Sequence, residues 1–274
     1  MIDDQTGRPV RLKKQYKTVN LAELMELDFP EPEYVIEPWL PMRGICMIFA
    51  KAGVGKTWAA LDCALSAAAG KPAFDHWRVP ERRRVLYIDG EMDGAELRER
   101  IQRLMISKGI STEAPMRVMG LSMQDESMPM IDNPLDQESI NVQCEWAQLI
   151  FVDNLSSLTS MPDNEGERWL PVQQWALRMR EQGKAVVFIH HAGKGGDQRG
   201  TSKREDVMTQ VLRLERPLDY RPEGGARFEI HFVKARGVLG DAARPMEVQL
   251  ASDPDGNLGW TFQDLEGSKK RRAA

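Results

Sequence analysis

Several protein classes are excluded by what this chain has little of. Only three of its 274 residues are cysteine (Cys46, Cys63, Cys144), and no two stand close together. A disulfide framework is therefore not encoded. Cys46 and Cys63 lie in apolar stretches, so the thiols are expected to be unpaired in a reducing compartment. No run of about twenty uncharged apolar residues occurs, which predicts no membrane-spanning helix and no membrane partner. The N-terminus is polar, which predicts no secretory leader and a cytoplasmic location. Charge of one sign is also scarce: 37 Lys and Arg face 41 Asp and Glu, a net charge of −4. No global positive field attracts nucleic acid, so any polyanion site has to be a local patch. What remains is an ordinary globular composition, 42% hydrophobic and 28% charged, long enough for one large domain or two small ones.

The first segment, 1–38, is expected to be an arm. Met1–Lys17 is polar and basic, and Asn20 can cap a short helix over Leu21–Leu27. Pro30, Pro32 and Pro38 then break regular structure. From residue 44 apolar strands alternate with helical patterns. Strands are predicted at 45–49, 84–89, 116–121, 148–153 and 185–190, with helices at 57–69, 93–107, 135–145 and 167–182. That alternation predicts an α/β domain over 39–265 with a mainly parallel central sheet. Val207–Glu215, Arg227–Lys234, Met246–Leu250 and Gly259–Gln263 have the character of antiparallel strands extending that sheet. The remainder, 266–274, is a basic tail ending Lys269-Lys270-Arg271-Arg272 before two alanines.

Residues 45–57 read Ile-Cys-Met-Ile-Phe-Ala-Lys-Ala-Gly-Val-Gly-Lys-Thr, and the helical run Trp58–Ala69 follows. A strand entering a glycine-bearing turn that opens a helix is the setting of a phosphate-binding P-loop. Backbone N–H groups of such a turn point at phosphate oxygens, and the helix N-terminus adds partial positive charge. Ala52, Gly53, Val54, Gly55, Lys56, Thr57 and Trp58 are the expected nucleotide contacts, with ATP as substrate and Mg²⁺ as its ion. Lys56 would reach the β/γ-phosphates, and the Thr57 hydroxyl would ligand Mg²⁺. Ala50 departs from the pattern, which asks for glycine at its first position.

Four further features suit an ATPase. Asp153 ends the run Gln148–Asp153, where a carboxylate can hold Mg²⁺ directly or through water. Glu91 stands just past the strand Val85–Asp89 and can deprotonate an attacking water; Asp89 competes for that role. His190 and His191 close the fifth strand, where a polar residue can feel the γ-phosphate; His190 is the one singled out. Lys234 and Arg236 lie two apart at a strand end, suited to stabilise charge on a transferring phosphoryl group from a neighbouring subunit. The loop after His191 holds four glycines and four basic residues, Lys194, Arg199, Lys203 and Arg204. These would contact a nucleic-acid backbone without reading its sequence. Asn154–Arg168 is the second candidate loop for such a channel.

Four segments together resemble the RecA-type ATPase superfamily: Ala-Gly-Val-Gly-Lys-Thr at 52–57, Tyr-Ile-Asp-Gly-Glu at 87–91, Leu-Ile-Phe-Val-Asp at 149–153 and Phe-Ile-His-His-Ala-Gly-Lys-Gly at 188–195. Within it the chain is most similar to the plasmid replicative helicase RepA family. The resemblance spans roughly residues 40–240. It implies a RecA-like core, Glu91 as catalytic base, Arg100 as a further nucleotide-site residue, and ATP at the interfaces of a hexameric ring. Single-stranded DNA would occupy the central hole, the N-terminal arm would strap adjacent subunits, and a primase or initiator would be a further partner. Arg199-Gly200-Thr201-Ser202 resembles the close of a DNA loop, and Lys234-Ala235-Arg236 the Lys-x-Arg finger of DnaB-like helicases. Thr209 stands near where the RepA family carries its own arginine finger, so Arg213, Lys234 and Arg236 are all candidates, with Arg236 preferred. The expected function is ATP-driven unwinding or translocation on single-stranded DNA in replication of a plasmid or mobile element. The alternative is a non-helicase RecA-like ATPase: recombinase-like, a helicase-loading adaptor, or a KaiC-like regulator.

Overall fold

The structure, a computed structural model, describes residues 17–29, 31–160, 169–192, 206–252, 256 and 258–265. The chain divides into two units, 1–32 and 33–274. In the first, helix α1 (Leu21–Glu26) starts at Asn20 with a reciprocal capping box. Glu23 N–H donates to Asn20 Oδ1 at 2.9 Å, and Asn20 N–H donates to Glu23 Oε2 at 2.9 Å. None of its side chains is buried.

The larger unit begins earlier than residue 39. Strands β1 (Tyr34–Ile36) and β2 (Leu40–Pro41) form a hairpin. Pro38 lies in its turn rather than ending an arm, and Val35, Ile36, Trp39 and Leu40 are fully buried. The tail 266–274 lies outside the described residues.

The body is a nine-stranded sheet built from β3 (Ile45–Ala50), β4 (Val85–Asp89), β5 (Met116–Gly120), β6 (Leu149–Asp153), β7 (Ala185–His191), β8 (Gln210–Glu215), β9 (Ala226–Ala235), β10 (Met246–Ser252) and β11 (Leu258–Asp264). Its order is β11-β10-β9-β8-β3-β7-β6-β4-β5. The strands from β8 to β5 run parallel, and β9, β10 and β11 extend the sheet antiparallel. One strand is shared by both kinds of pairing. The segment at 207–215 opens the antiparallel meander through β9 as expected, but its other edge pairs parallel with β3, Cys46 opposite Gln210, so it belongs to the parallel half as well. The long connection after β7 brings the chain back to the start of β3, where Thr209 N–H donates to Ile45 O at 2.6 Å.

Strands β3, β4 and β6 are buried at every position because helices cover both faces. On one face α2 (Lys56–Ala69) and α3 (Gly94–Lys108) pack over Cys46, Ile48, Tyr87, Phe151 and Val187. Alanines at 59, 60, 64, 67, 68 and 69 let α2 lie close to the sheet, and Gly70, in the left-handed region, ends it. On the other face α6 (Trp169–Glu181) buries Trp169, Val172, Trp175, Ala176 and Met179 against Met47, Ile150 and Phe188. The helix expected over 135–145 is two pieces, α4 (Pro134–Ser139) and α5 (Asn141–Trp146), meeting at Ile140. Ser139 Oγ donates back to Asp136 O at 2.7 Å, a bond that competes with helix continuation.

A buried ion cluster binds the P-loop helix to the rest. Asp62 of α2 accepts from Trp260 Nε1 of β11 (2.8 Å) and Phe74 N–H (2.7 Å), and lies 3.0 Å from Lys108 Nζ of α3. Lys108 Nζ also reaches Asp75 at 3.0 Å.

Candidate nucleotide site

Parallel strands deliver their C-terminal ends to one edge of a sheet, and ligands of open α/β sheets bind there. β3, β4, β6 and β7 meet at that edge, followed respectively by the 51–55 loop, Gly90-Glu91, Asn154 and the connection after His191. A cleft of about 450 Å³ opens there, lined by Gly55, Lys56, Thr57, Trp58, Asp89, Glu91, Arg100, Asp153, Asn154 and His191 among others.

The loop between β3 and α2 has the geometry of a phosphate cradle. The N–H groups of Ala52, Gly53, Val54 and Gly55 have no hydrogen-bond partner among the described residues. Gly55 has φ +120°, and a Cβ there would also press on the Phe228 ring at 3.1 Å. Ala50, the departure from the pattern, is the buried last residue of β3. Its backbone is not in the positive-φ region, so a methyl group is accommodated without strain.

All three protons of the Lys56 ammonium are engaged. They point to Ala50 O (3.2 Å), Lys51 O (3.1 Å) and His191 Nδ1 (3.1 Å). Burial lowers the Lys56 pKa, while Asp153 and Glu91 pull it back up. An ammonium only donates, so His191 Nδ1 accepts from Lys56, while its Nε2 lies 3.1 Å from Asn154 Nδ2. Nε2 faces Glu91 Oε2 at 3.4 Å. Asn154 fixes the same carboxylate. Its Oδ1 accepts from Ser156 N–H (2.9 Å) and Ser157 N–H (3.2 Å), which turns Nδ2 towards Glu91 Oε2.

Asp153 is almost fully buried at the tip of β6. Burial pushes its carboxyl up to about 6, against hydrogen bonds from Tyr87 and Thr57; Asp89 and Glu91 push the same way as burial. Tyr87 donates its hydroxyl at 2.6 Å. The hydroxyl of Thr57 therefore faces the carboxylate of Asp153, a pair of hard oxygen donors that fits Mg²⁺. Asp89 is differently employed. Its Oδ1 accepts from Glu91 N–H (3.0 Å) and Met92 N–H (2.7 Å), so it shapes the turn that carries Glu91 outwards. Gly90 is forced in that turn: a Cβ would lie 2.6 Å from Leu158 Cγ.

Other expected residues divide by position. Trp58 and Arg100 both line the cleft; Arg100 is ion-paired with Glu96, and its guanidinium lies 5.2 Å from the Trp58 ring centre. His190 does not reach the cleft. Alternation along β7 places it, only 5% exposed, on the α6 side with Val186 and Phe188, whereas His191 shares the α2 side with Val187 and Ile189. Lys234 and Arg236 are at the other end of the sheet. Ala235 pairs with Gln210, which pairs with Cys46 near the start of β3. Arg236 Nη2 donates to Asp206 O at 3.4 Å there. The four steps from Cys46 to Ala50 span about 13 Å at about 3.3 Å each. Arg213 instead lines a 630 Å³ cavity on the near side of the P-loop, 3.1 Å from Glu215. Lys194, Arg199, Lys203 and Arg204 lie outside the described residues. Of the histidine pair, His191 and not the preferred His190 reaches the cleft, and two participants had no assigned role in the sequence: Asn154, and Arg216, whose Nη2 donates to Gly53 O at 2.6 Å. The strand's two-residue alternation distinguishes the two histidines once its partner register is known.

The sheet order and this constellation define a RecA-type P-loop ATPase. A family model described as AAA domain matches residues 8–197, and the chain belongs to that family. Such ATPases use ATP and usually Mg²⁺. The fold is similar to that in the crystal structure of the flagellar accessory protein FlaH from Methanocaldococcus jannaschii, with a TM-score of 0.56 at 13% identity, over 81% of this chain and 90% of that one. No helix among the described residues is long and apolar enough to cross a membrane.

Proposed function

We propose that the chain is an ATP-driven helicase or translocase on single-stranded DNA, of the RepA-like hexameric type, working in replication of a plasmid or mobile element. The observation that carries this reading is His191. It bonds to Lys56, faces Glu91, and leads within two residues into the glycine- and lysine-bearing connection at 193–205. One side chain therefore joins the phosphate-binding lysine, the candidate base and the segment that would hold DNA.

In this reading the N–H groups of 52–55 and Lys56 bind the phosphates, and Glu91, oriented by Asn154, takes the proton of the attacking water. Lys56 has to exchange one of its three present acceptors for a phosphate oxygen. His191 Nδ1 is the one to be released, which frees His191 to report γ-phosphate. Thr57 and Asp153 would hold Mg²⁺, whose charge offsets that of the phosphates. Trp58 and Arg100 flank the nucleoside side. Arg236 and Lys234, too far from their own P-loop, would serve the neighbouring subunit's site, which requires a ring or filament. Lys194, Arg199, Lys203 and Arg204 would contact DNA phosphates.

A regulatory, non-helicase ATPase is the second reading, favoured by the net charge of −4 and by the likeness in fold to an accessory protein. Strand displacement by the wild type and by Lys56→Ala tests the first. Loss of hydrolysis and unwinding together is expected. Unwinding that survives the substitution rejects the motor, and active hydrolysis without unwinding by the wild type favours the regulator.

A further inference from the structure

One side chain grips the phosphate-binding loop from outside the cleft. Arg216 directly follows β8, and because β8 runs parallel to β3 it arrives beside the loop that follows β3. Its Nη2 donates to Gly53 O at 2.6 Å. The guanidinium is itself held, 4.1 Å from the centre of the Tyr220 ring. Tyr220 is fixed in the β8–β9 connection, its N–H donating to Pro217 O (3.1 Å) and its hydroxyl to Gly225 O (3.3 Å). The crest of the loop is thus bonded to a turn 163 residues further along the chain.

The consequence follows from peptide geometry. Across a trans peptide the carbonyl of Gly53 and the N–H of Val54 point in opposite directions. Gly53 has φ +75°, and glycine flanking a peptide leaves it free to rotate as a unit. Turned over, that peptide would present an oxygen to the phosphates in place of a proton donor. Held by Arg216, the carbonyl points away from the cleft. The Val54 N–H, which has no partner among the described residues, then points the other way. We propose that Arg216, backed by Tyr220, is a positioning residue that locks the 53–54 peptide and so preorganises the Val54 N–H for a nucleotide phosphate. This rests on the P-loop ATPase reading and adds to it a residue that touches no substrate. A donor locked before binding costs no ordering when the ligand arrives.

Crest N–H groups cradle the α/β-phosphates, so the effect must be shared by ATP and ADP. An arginine touching γ-phosphate would matter for ATP alone. The experiment is calorimetric titration of the full chain with Mg-ATP and Mg-ADP, alongside kcat at saturating ATP and the melting temperature. Arg216→Ala should weaken both nucleotides about fivefold, the size of one lost hydrogen bond. It should leave kcat within about twofold, because a uniform binding contribution does not change the barrier from the bound state. Arg216→Lys should recover part of the loss. Tyr220→Leu, should Arg216→Ala fold poorly, should weaken both nucleotides by a smaller factor. Unchanged affinity in both variants overturns the proposal, as does a loss confined to ATP. With Lys56→Ala as the control, binding lost there but kept in Arg216→Ala rejects only the role of Arg216. A wild type that binds neither nucleotide rejects the ATPase reading and this proposal together.

Discussion

Strands β3, β4 and β6 are buried at every position, whereas β9, β10 and β11 are only partly buried. Phe228, Ile230, Met246, Val248, Leu250 and Trp260 face the core, while Arg227, Glu229 and His231 lie on the other face. On that face Arg227 meets Glu247 at 2.6 Å, and His231 lies 2.8 Å from Glu229 and 3.7 Å from Glu215. Glu229 stands directly between Glu215 and Glu247 in the register, and the basic residues offset that crowding of like charge. All the residues assembled around the phosphate cleft come from the parallel half, its loops, and helices α2 and α3. A parallel strand covered by helices opens to solvent only at its ends, and ligands of open α/β sheets bind at the C-terminal ones, so chemistry concentrates there. An antiparallel strand spreads its polar groups along its length, where they serve solubility or contacts with a partner.

The largest effects should follow from the parallel half. Lys56→Ala is expected to lower hydrolysis by about 10²–10³-fold, the scale of losing one preorganised charge at a transition state. Glu91→Gln should lower turnover by about 10²–10⁴-fold while ATP still binds, the range of general-base catalysis. A rapid Glu91→Gln enzyme in a steady-state assay would transfer the role of base elsewhere.

The two histidines sharpen the contrast within one strand. His191→Ala should cut turnover by about tenfold or more, in the direction of lost acid–base or sensing function. His190→Ala should instead lower the melting temperature and leave turnover of the folded enzyme nearly unchanged. Equal kinetic losses in both would break the face assignment on β7.

Where the halves join, Lys108→Met leaves Asp62 buried without its cation. A destabilisation of about 3–5 kcal/mol is expected from denaturant titration, since breaking a buried pair strands a charge. The double change with Asp62→Asn should recover much of it. On the face of Arg227, Glu229 and His231, Glu215→Gln should shift stability by less than about 1 kcal/mol, because the Glu215 carboxylate is itself exposed.

Legibility follows the same division. Continuous apolar runs at 45–49, 84–89 and 148–153 announced the strands, and the carboxylates closing or just past two of them announced the cleft. Pattern within one segment sufficed. What depends on which strands become neighbours was not legible. The parallel pairing of β8 with β3, and so the arrival of Arg216 at Gly53, is decided by a crossover whose path has no periodic signature. The preference for His190 over His191 failed to foresee the cleft for the same reason: alternation divides the pair, but only the packed helices say which face carries the P-loop. Lys234 and Arg236 were recognisable as a cation pair, yet their place at the remote end of the sheet came only with the antiparallel register. Pro38 looked like a breaker and is the turn of a buried hairpin.

A ring-shaped DNA motor is tested most directly by the ATP hydrolysis rate with and without single-stranded DNA, on a sample whose mass is read by light scattering. A hexameric motor on single-stranded DNA gives a particle of hexamer mass whose hydrolysis rises steeply when single-stranded DNA is added. A monomer or dimer that hydrolyses ATP at the same rate with and without DNA would contradict it.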